Sequence, residues 1–597
     1  MYRNLTTDEI HKLESQYCKS ENWDKVTVCS SGVDLARIQW VEFEGEIKLG
    51  NSTLKKVRLS NCTIGNNSNV CNITDGIYNC NIGDNVQIQN CQTIFNTIGS
   101  TFGNGVKIDT LNEYNGRSIN LFEGLNAQIA ELVVKYRNAE KFQYKIKNAI
   151  DRFVSNFASK RGIIGNNSVI KNCNQLQNFN CAEECKLSGA HLIHNVSVGK
   201  NSTIGVGVIL RDCIVASDSE VVDAAILNKC FVGEGCLIGE GFCANDSMFF
   251  ANSALLRGEA AALFAGPYTV SHHKSTLLIA LQTSFFNAGS GANQSNHRYR
   301  LGAIHQGITE RGTKLGSSSY MLLPVKVGSF STVVGQHHKS VDFSALPFSL
   351  IIGYESAKIV PAINLRNSGL GRDIIKWKNR DKRISAKSDR IDFNFDDNPF
   401  LISEILAGYT TLNNLYDSNP EQDVFNYFGY EIDKRSLLRG IELYRRALER
   451  FVALCTEPNC EPVQIEWVDL AGMVVAKYKL NELLESDFTT IDELNVLIDG
   501  LNENAEQDKS KYARYIDLTI HGKFSTLKEV KHLGLSAIDY FEQQMELDAQ
   551  KEFSEETQIG YIDDFEEVRS AQKVSEIITQ IKSHNNELRD KIEERTE

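Results

Sequence analysis

The sequence predicts a mainly β chain with α structure: a parallel β-helix with a helical insertion, followed by an α-helical C-terminal region. Three observations predict it. First, Asn61-Cys-Thr-Ile-Gly-Asn-Asn67 returns 18 residues later as Asn79-Cys-Asn-Ile-Gly-Asp-Asn85, and the aliphatic register keeps a beat of six at Ile64, Val70, Ile82, Ile88 and Ile94, with Gly76 standing in once. Period two marks a half-buried strand and period 3.6 a helix. A step of six fits neither, but it fits a triangular coil with three short faces, which buries its apolar side by stacking on its neighbours. Second, Cys62, Cys80, Cys213, Cys230 and Cys236, and likewise Ser68, Ser168 and Ser202, stand two places before an aliphatic residue. A corner that admits only a small side chain explains them, because free Cys behaves as a small buried hydrophobe. Third, the period turns helical near 126 and again after Pro399.

In chain order, residues 1–46 form an N-terminal cap. Thr6-Thr-Asp-Glu9 is a capping box before Ile10 and Leu13, which starts a short helix. Residues 47–125 hold the first coils. Over 126–160, Ile129, Leu132, Val133, Tyr136, Phe142, Ile146 and Ile150 share one helical face. A second set of coils runs over 161–365, from Ile163-Ile-Gly through Val198-Gly, Val232-Gly and Val327-Gly-Ser-Phe-Ser-Thr-Val333, with an irregular, histidine-rich stretch at 242–340. Residues 366–597 form a charged connector, Arg372 to Arg390, and a helical region expected at 400–418, 434–456, 467–486, 490–504 and 537–597. Val574, Ile577, Ile578 and Ile581 in the tail face one way and call for a packing partner.

The net charge of −13 argues against nucleic acid as a partner, since phosphate binding needs a basic surface. No run of about 18 apolar residues reads as a membrane span, and the first residues lack the apolar core of a signal peptide. Fifteen cysteines explained by coil corners suit a reducing compartment, so the cytoplasm is expected. Cys181/Cys185 and Cys455/Cys460 are close pairs without a second pair at zinc spacing, and no metal is assigned to them.

Six of the twelve histidines fall between 272 and 338, in the least regular part of the coil. A histidine there suits proton removal, because the imidazole titrates near neutrality. His297, inside Gln294-Ser-Asn-His-Arg-Tyr-Arg300, is the first candidate base, with His273 and His337 beside it. Lys274, Asn296, Arg298, Arg300, His305, Arg311 and His338 are the candidate substrate-binding residues, and their positive charge suits a phosphate. Two other readings stand: His272, His297, His337 and His338 as zinc ligands, or histidines packed in an irregular coil with no reaction. Gly233-x-Gly235 and Gly239-x-Gly241 belong to the coil repeat and lack the strand–turn–helix context of a dinucleotide site.

The hexads at 45–110 and 160–360 resemble the hexapeptide-repeat proteins, the left-handed β-helix transferases that act on sugars, nucleotide-sugars, amino acids or CoA-linked substrates. With the inserted helices and the run Asn296-His-Arg-Tyr-Arg-Leu-Gly, the whole chain resembles a bacterial family of large hexapeptide-repeat proteins found in Bacteroides-like organisms and spirochaetes. The resemblance implies a single-stranded left-handed helix and a homotrimer with its catalytic histidine in a cleft between subunits. It also implies transfer of an acyl group to a sugar or nucleotide-sugar. No tightly bound cofactor is expected, acyl-CoA would be a co-substrate, and zinc is the weaker alternative. Competing functions are a non-catalytic scaffold whose helices bind a partner, a relative of sugar-1-phosphate nucleotidyltransferases, and a zinc-dependent enzyme like carbonic anhydrase. Coils that begin near residue 47 leave no room ahead of them for a nucleotidyltransferase α/β domain.

Overall fold

The computed structural model describes residues 2–114, 116–159, 161–298, 300–354, 356–384, 390–457, 459–558 and 564–595. Tyr299 of the histidine run and residues 385–389 of the charged connector lie outside these. Over residues 19–95 and 162–353 the chain winds as a parallel β-helix in which each strand pairs with the strand one coil on. Leu176, Ile193, Leu210 and Leu227 pair in succession at 17-residue spacing, and all four are fully buried. One coil defines the geometry. Val169–Lys171 is on the first face; Gln175–Cys181 then covers the second and third faces, bending at Asn178. The first edge is at Asn172, the second at Asn178 and the third at Glu184.

The chain turns each edge in the left-handed region, at Asn67, Asn85, Asn167 and Asn201 on the third edge and Asn72, Asn90 and Asn172 on the first. Asparagine enters this region at low cost because its short polar side chain finds local partners. The partner here is the next rung: Asn85 Nδ2 donates to Asn167 Oδ1 at 3.2 Å, and Asn201 Nδ2 to Asp218 Oδ1 at 2.9 Å. Cys62, Cys80, Cys213, Cys230 and Cys236 are free and buried inside the stack.

Stacking starts earlier than 47. Lys19–Ser20 pairs with Ile38–Glu44, and Val26–Cys29 with Ile47–Leu49, so part of the expected cap is coil. Helix α1 (Thr7–Ser15) stands at its start with both capping-box bonds made between Thr6 and Glu9. The first block leaves the stack after Phe95 rather than at 125. An antiparallel hairpin, Lys107–Asp109 with Ser118–Asn120, follows, then helices α2 (Ala127–Lys135) and α3 (Glu140–Ser155). The chain re-enters at Gly162–Ile164 directly on Cys80–Ile82, so the stack continues without a break in register.

A second core lies outside the coil. On the third face the outward residues Ile214, Phe231, Met248 and Phe264 are apolar and buried, packed with residues of α2, α3, the hairpin Trp467–Leu470/Met473–Ala476 and helices of the C-terminal region. That region contains α4 (Ser368–Asn379), α5 (Pro399–Ser418), α6 (Lys434–Cys455), α7 (Lys477–Glu485), α8 (Ile491–Asp499), α9 (Ala505–His521), α10 (Leu527–Gln558) and α11 (Asp564–Glu593). The segment 467–486, expected as one helix, is a hairpin followed by α7. Ala471 and Gly472 both have positive φ, the signature of a two-residue hairpin turn, and Val474-Val475 favours strand over helix. In the tail, Ile581 is buried against α4 and α10, beside Gly371 and Met545.

The third edge anchors the C-terminal region. Tyr268 and Phe285 stack at 5.3 Å and Phe330 and Phe348 at 5.1 Å, under Trp377, Phe393 and Phe395. Between them Arg311, buried, pairs with Asp469 at 2.8 Å and donates to the carbonyls of Asp392 and Gly472 at 2.6 and 2.8 Å. Removing one partner of a buried ion pair leaves an uncompensated charge. Arg311→Ala is therefore expected to lower stability by about 3–5 kcal/mol in urea unfolding. Phe231→Ala, which opens a void in the second core, should cost about 3–5 kcal/mol and speed proteolysis within residues 96–160. Unchanged midpoints would show that the covering layers do not depend on these contacts.

Candidate functional site

The three edges of the coil separate residues that are close in sequence. His272, His273 and Lys274 occupy the first-edge turn between Val270–Ser271 and Leu277–Ile279. Partial burial, then His273 beside it, holds the His272 imidazole below its ordinary value, with Glu240 opposing. His297, Arg298, Arg300 and His305 lie on the second edge, in a loop that leaves the coil after Asn293–Ser295 and returns at Gly307–Thr309. One coil earlier, Ala280 alone crosses that edge. His338 and Lys339 are exposed on the same edge two coils later.

His337 points inward instead. It is 2% exposed, with Nε2 3.2 Å from the Val334 carbonyl and Nδ1 2.8 Å from the Tyr430 hydroxyl. A carbonyl only accepts, so Nε2 carries the proton and Nδ1 accepts from the phenol. Burial lowers its pKa, and both nitrogens are engaged. His337 thus fixes the end of the coil to the strand that carries Tyr430, and Arg311 is committed to the third edge. Neither shares the second-edge loop with His297. His273 and Lys274 are one edge away.

Three segments build the second-edge site. The hairpin of residues 107–120 runs along this edge: the Asp109 N–H donates to Asp246 Oδ1 at 3.2 Å and the Leu111 N–H to the Ala262 carbonyl at 2.7 Å. Its tip grips the loop. Asn112 Nδ2 donates to the Ile304 carbonyl at 2.9 Å, Arg117 Nε to Gln306 Oε1 at 2.7 Å, and buried Asn296 donates to the Glu113 carboxylate. From below, Arg298 Nη2 reaches Ser340 Oγ at 2.6 Å, and His338 packs on the Tyr320 ring at 5.3 Å. Among the described residues Arg117 hydrogen-bonds to neutral partners only, the second being the Val134 carbonyl. Partial burial, then Arg137 nearby, lowers its pKa. Such a guanidinium gains from an incoming anion. Asn112, Glu113 and Arg117 could not be picked out beforehand, because nothing in a local pattern relates residue 113 to residue 296.

A second pocket, of about 450 Å³, lies on the third edge, between the coil, the start of α2 and the C-terminal region. Phe231 and Phe250 form apolar walls, Arg383 and Arg390 border it, and Asn126 caps α2 there. Glu234, the middle residue of Gly233-x-Gly235, lines it. Its carboxyl makes no hydrogen bond to the described residues. Burial pushes its pKa up to about 7, against the opposing charge of Arg383. A third cleft, of about 1100 Å³, separates residues 391–399 from α9 and α11. Its central charges are paired internally: Asp396 bridges His584 at 2.7 Å and Arg450 at 2.9 Å. Among the described residues no group of three or more His, Cys, Asp or Glu is placed to hold a metal ion, and no helix is long and apolar enough to cross a membrane.

Comparison with known proteins adds the following. Over 140 residues, 23% of this chain, it is 26% identical to the bifunctional protein GlmU of Pseudoalteromonas atlantica and spans 30% of that protein's length. The solved structure of an Arabidopsis UDP-N-acetylglucosamine acyltransferase is similar over 44% of this chain and 94% of its own, at 14% identity and a TM-score of 0.20. A family profile described as domain of unknown function DUF4954 matches residues 2–416, and the chain belongs to that family.

Proposed function

We propose that the protein is a transferase that moves an acyl group from a CoA-type thioester to a sugar or nucleotide-sugar at the second-edge loop, with His297 as general base. The observation that carries this reading is that the inserted hairpin, through Glu113 and Arg117, grips the loop on which Asn296, His297 and Arg298 lie. The partial likeness to GlmU supports a transferase-type coil. In the step, the His297 imidazole takes the proton of the acceptor hydroxyl or amine as that atom attacks the thioester carbonyl. The C–S bond then breaks, and the departing thiolate recovers the proton from His297. Arg117, Arg298 and Arg300 offer positive charge to the phosphates of a nucleotide-sugar or of CoA. His305 and His338 border the same edge as binding groups. A homotrimer in a cytoplasmic setting is part of the reading, and like subunits would have to meet away from the third-face positions Ile214 to Phe264, which the chain covers itself.

A second reading rests on Glu234. A carboxyl pushed up to about 7 by burial, with no hydrogen bond to the described residues and inside a walled pocket, has the properties of a general base. The two readings separate by mutation. With acetyl-CoA and a panel of nucleotide-sugars, His297→Ala should cut turnover by about 10²–10⁴-fold at an unchanged melting temperature. Full activity in this variant would exclude His297. If Glu234 is the base, the rate climbs as pH rises through about 7, because the base works only when deprotonated. That limb should vanish in Glu234→Gln and persist in His297→Ala. No turnover, and no thermal stabilisation by any of these compounds, would leave the scaffold reading in place.

A further inference from the structure

Where an aromatic ring occupies a left-handed corner on the third edge, another segment covers it. Tyr268, Phe285, Phe330 and Phe348 have φ of 59°, 48°, 54° and 56°, and all four are buried beneath Trp377, Phe393 and Phe395. Tyr17 and Trp40 repeat this arrangement on the first edge, at φ of 63° and 57°. Their rings stack 4.0 Å apart and 7° from parallel, yet they are 62% and 54% exposed. The rungs that follow are Lys56, Asn72 and Asn90. Tyr17 also sits where α1 ends, with its N–H on the Glu14 carbonyl, a place usually given to Gly or Asn. Bulky rings are the wrong residues for this backbone, and an exposed pair gains little from burial. Their presence asks for a ligand.

The surroundings say which kind. Trp40 forms one wall of a shallow groove of about 440 Å³ whose polar lining is Glu42, Lys56, Arg58, Asn72 and Thr74. The other two lining residues, Val57 and Ile73, are buried in the coil. An aromatic peptide segment, like those on the third edge, would need apolar walls. A flat ring beside a rim of carboxylate, guanidinium, amide and hydroxyl groups matches a sugar ring instead, whose C–H face packs on the aromatic surface while its hydroxyls hydrogen-bond to the rim. We infer that Tyr17, Trp40 and the adjoining groove form a carbohydrate-binding platform. It is separate from the second-edge loop, and it stands whether or not the transferase reading does.

The test titrates the full-length protein with cellotetraose, maltotetraose and chitotetraose, read by saturation-transfer NMR and by tryptophan fluorescence. At least one saccharide should give saturable binding. Trp40→Ala and Tyr17→Ala should each weaken it by about tenfold or more, the scale of losing one aromatic anchor, with circular dichroism and melting unchanged. Failure of all three saccharides to saturate, or undiminished binding by Trp40→Ala, would overturn the platform. Saturation by a peptide of residues 391–396 but by no saccharide would also overturn it, and would give the face to an aromatic segment.

Discussion

The structure depends on one repeated compromise at the coil edges. Three short faces can close only if the backbone turns sharply, and a single residue in the left-handed region makes that turn at most edges. For most residues that conformation is unfavourable. Asparagine tolerates it, and stacked asparagines bond to one another from rung to rung. The inward aliphatic residues then supply the driving force, each removing its side chain from water at about 1.5–3 kcal/mol. Neither part suffices alone: corners without the apolar column have nothing to bury, and a column without corners cannot close.

Departures from that rule mark where the coil does something other than stack. At the second edge the corner lengthens into the loop of residues 296–306, which meets the hairpin of residues 107–120. At the third edge asparagine gives way to Tyr268, Phe285, Phe330 and Phe348, and the C-terminal region settles on them. On the third face, outward positions turn from polar to apolar at Ile214, Phe231, Met248 and Phe264, and α2 and α3 cover them. The chain thereby fills with its own segments a face that a partner molecule would otherwise meet. Every candidate pocket with a wall on the coil's second or third edge owes part of that wall to the insertion or the C-terminal region.

The coil was legible because its period is short and local. Helices α5 and α6 were legible for the same reason, one starting at Pro399 and the other through the stripe Leu437, Leu438, Ile441, Tyr444, Leu448 and Phe451. The histidine site was only partly so. The window from 272 to 338 covers several coils and therefore touches every edge, so closeness in sequence carried little information about closeness in space. Phase within the coil decided instead. His337 pairs in register with Met321, itself in line with Gln294, and these inward residues show that it faces the core. The apolar triplets Cys213-Ile-Val215 and Cys230-Phe-Val232 were equally open to this reading, since a strand covered on both sides loses its polar alternation. The grip of Asn112 and Arg117 on the loop had no such signal, because only the folded chain brings those residues together.

The re-entry of the chain at Gly162–Ile164 has a bearing on synthesis. Asn85 and Asn167 are adjacent rungs, yet they are 82 residues apart. A ribosome adding about 5–20 residues per second leaves the far end of the first block uncapped for on the order of ten seconds. An open strand edge invites pairing with any similar edge nearby. The inserted helices pack on Ile214, Phe231, Met248 and Phe264, which are made later still, so the nascent chain is most exposed to misassembly in that interval.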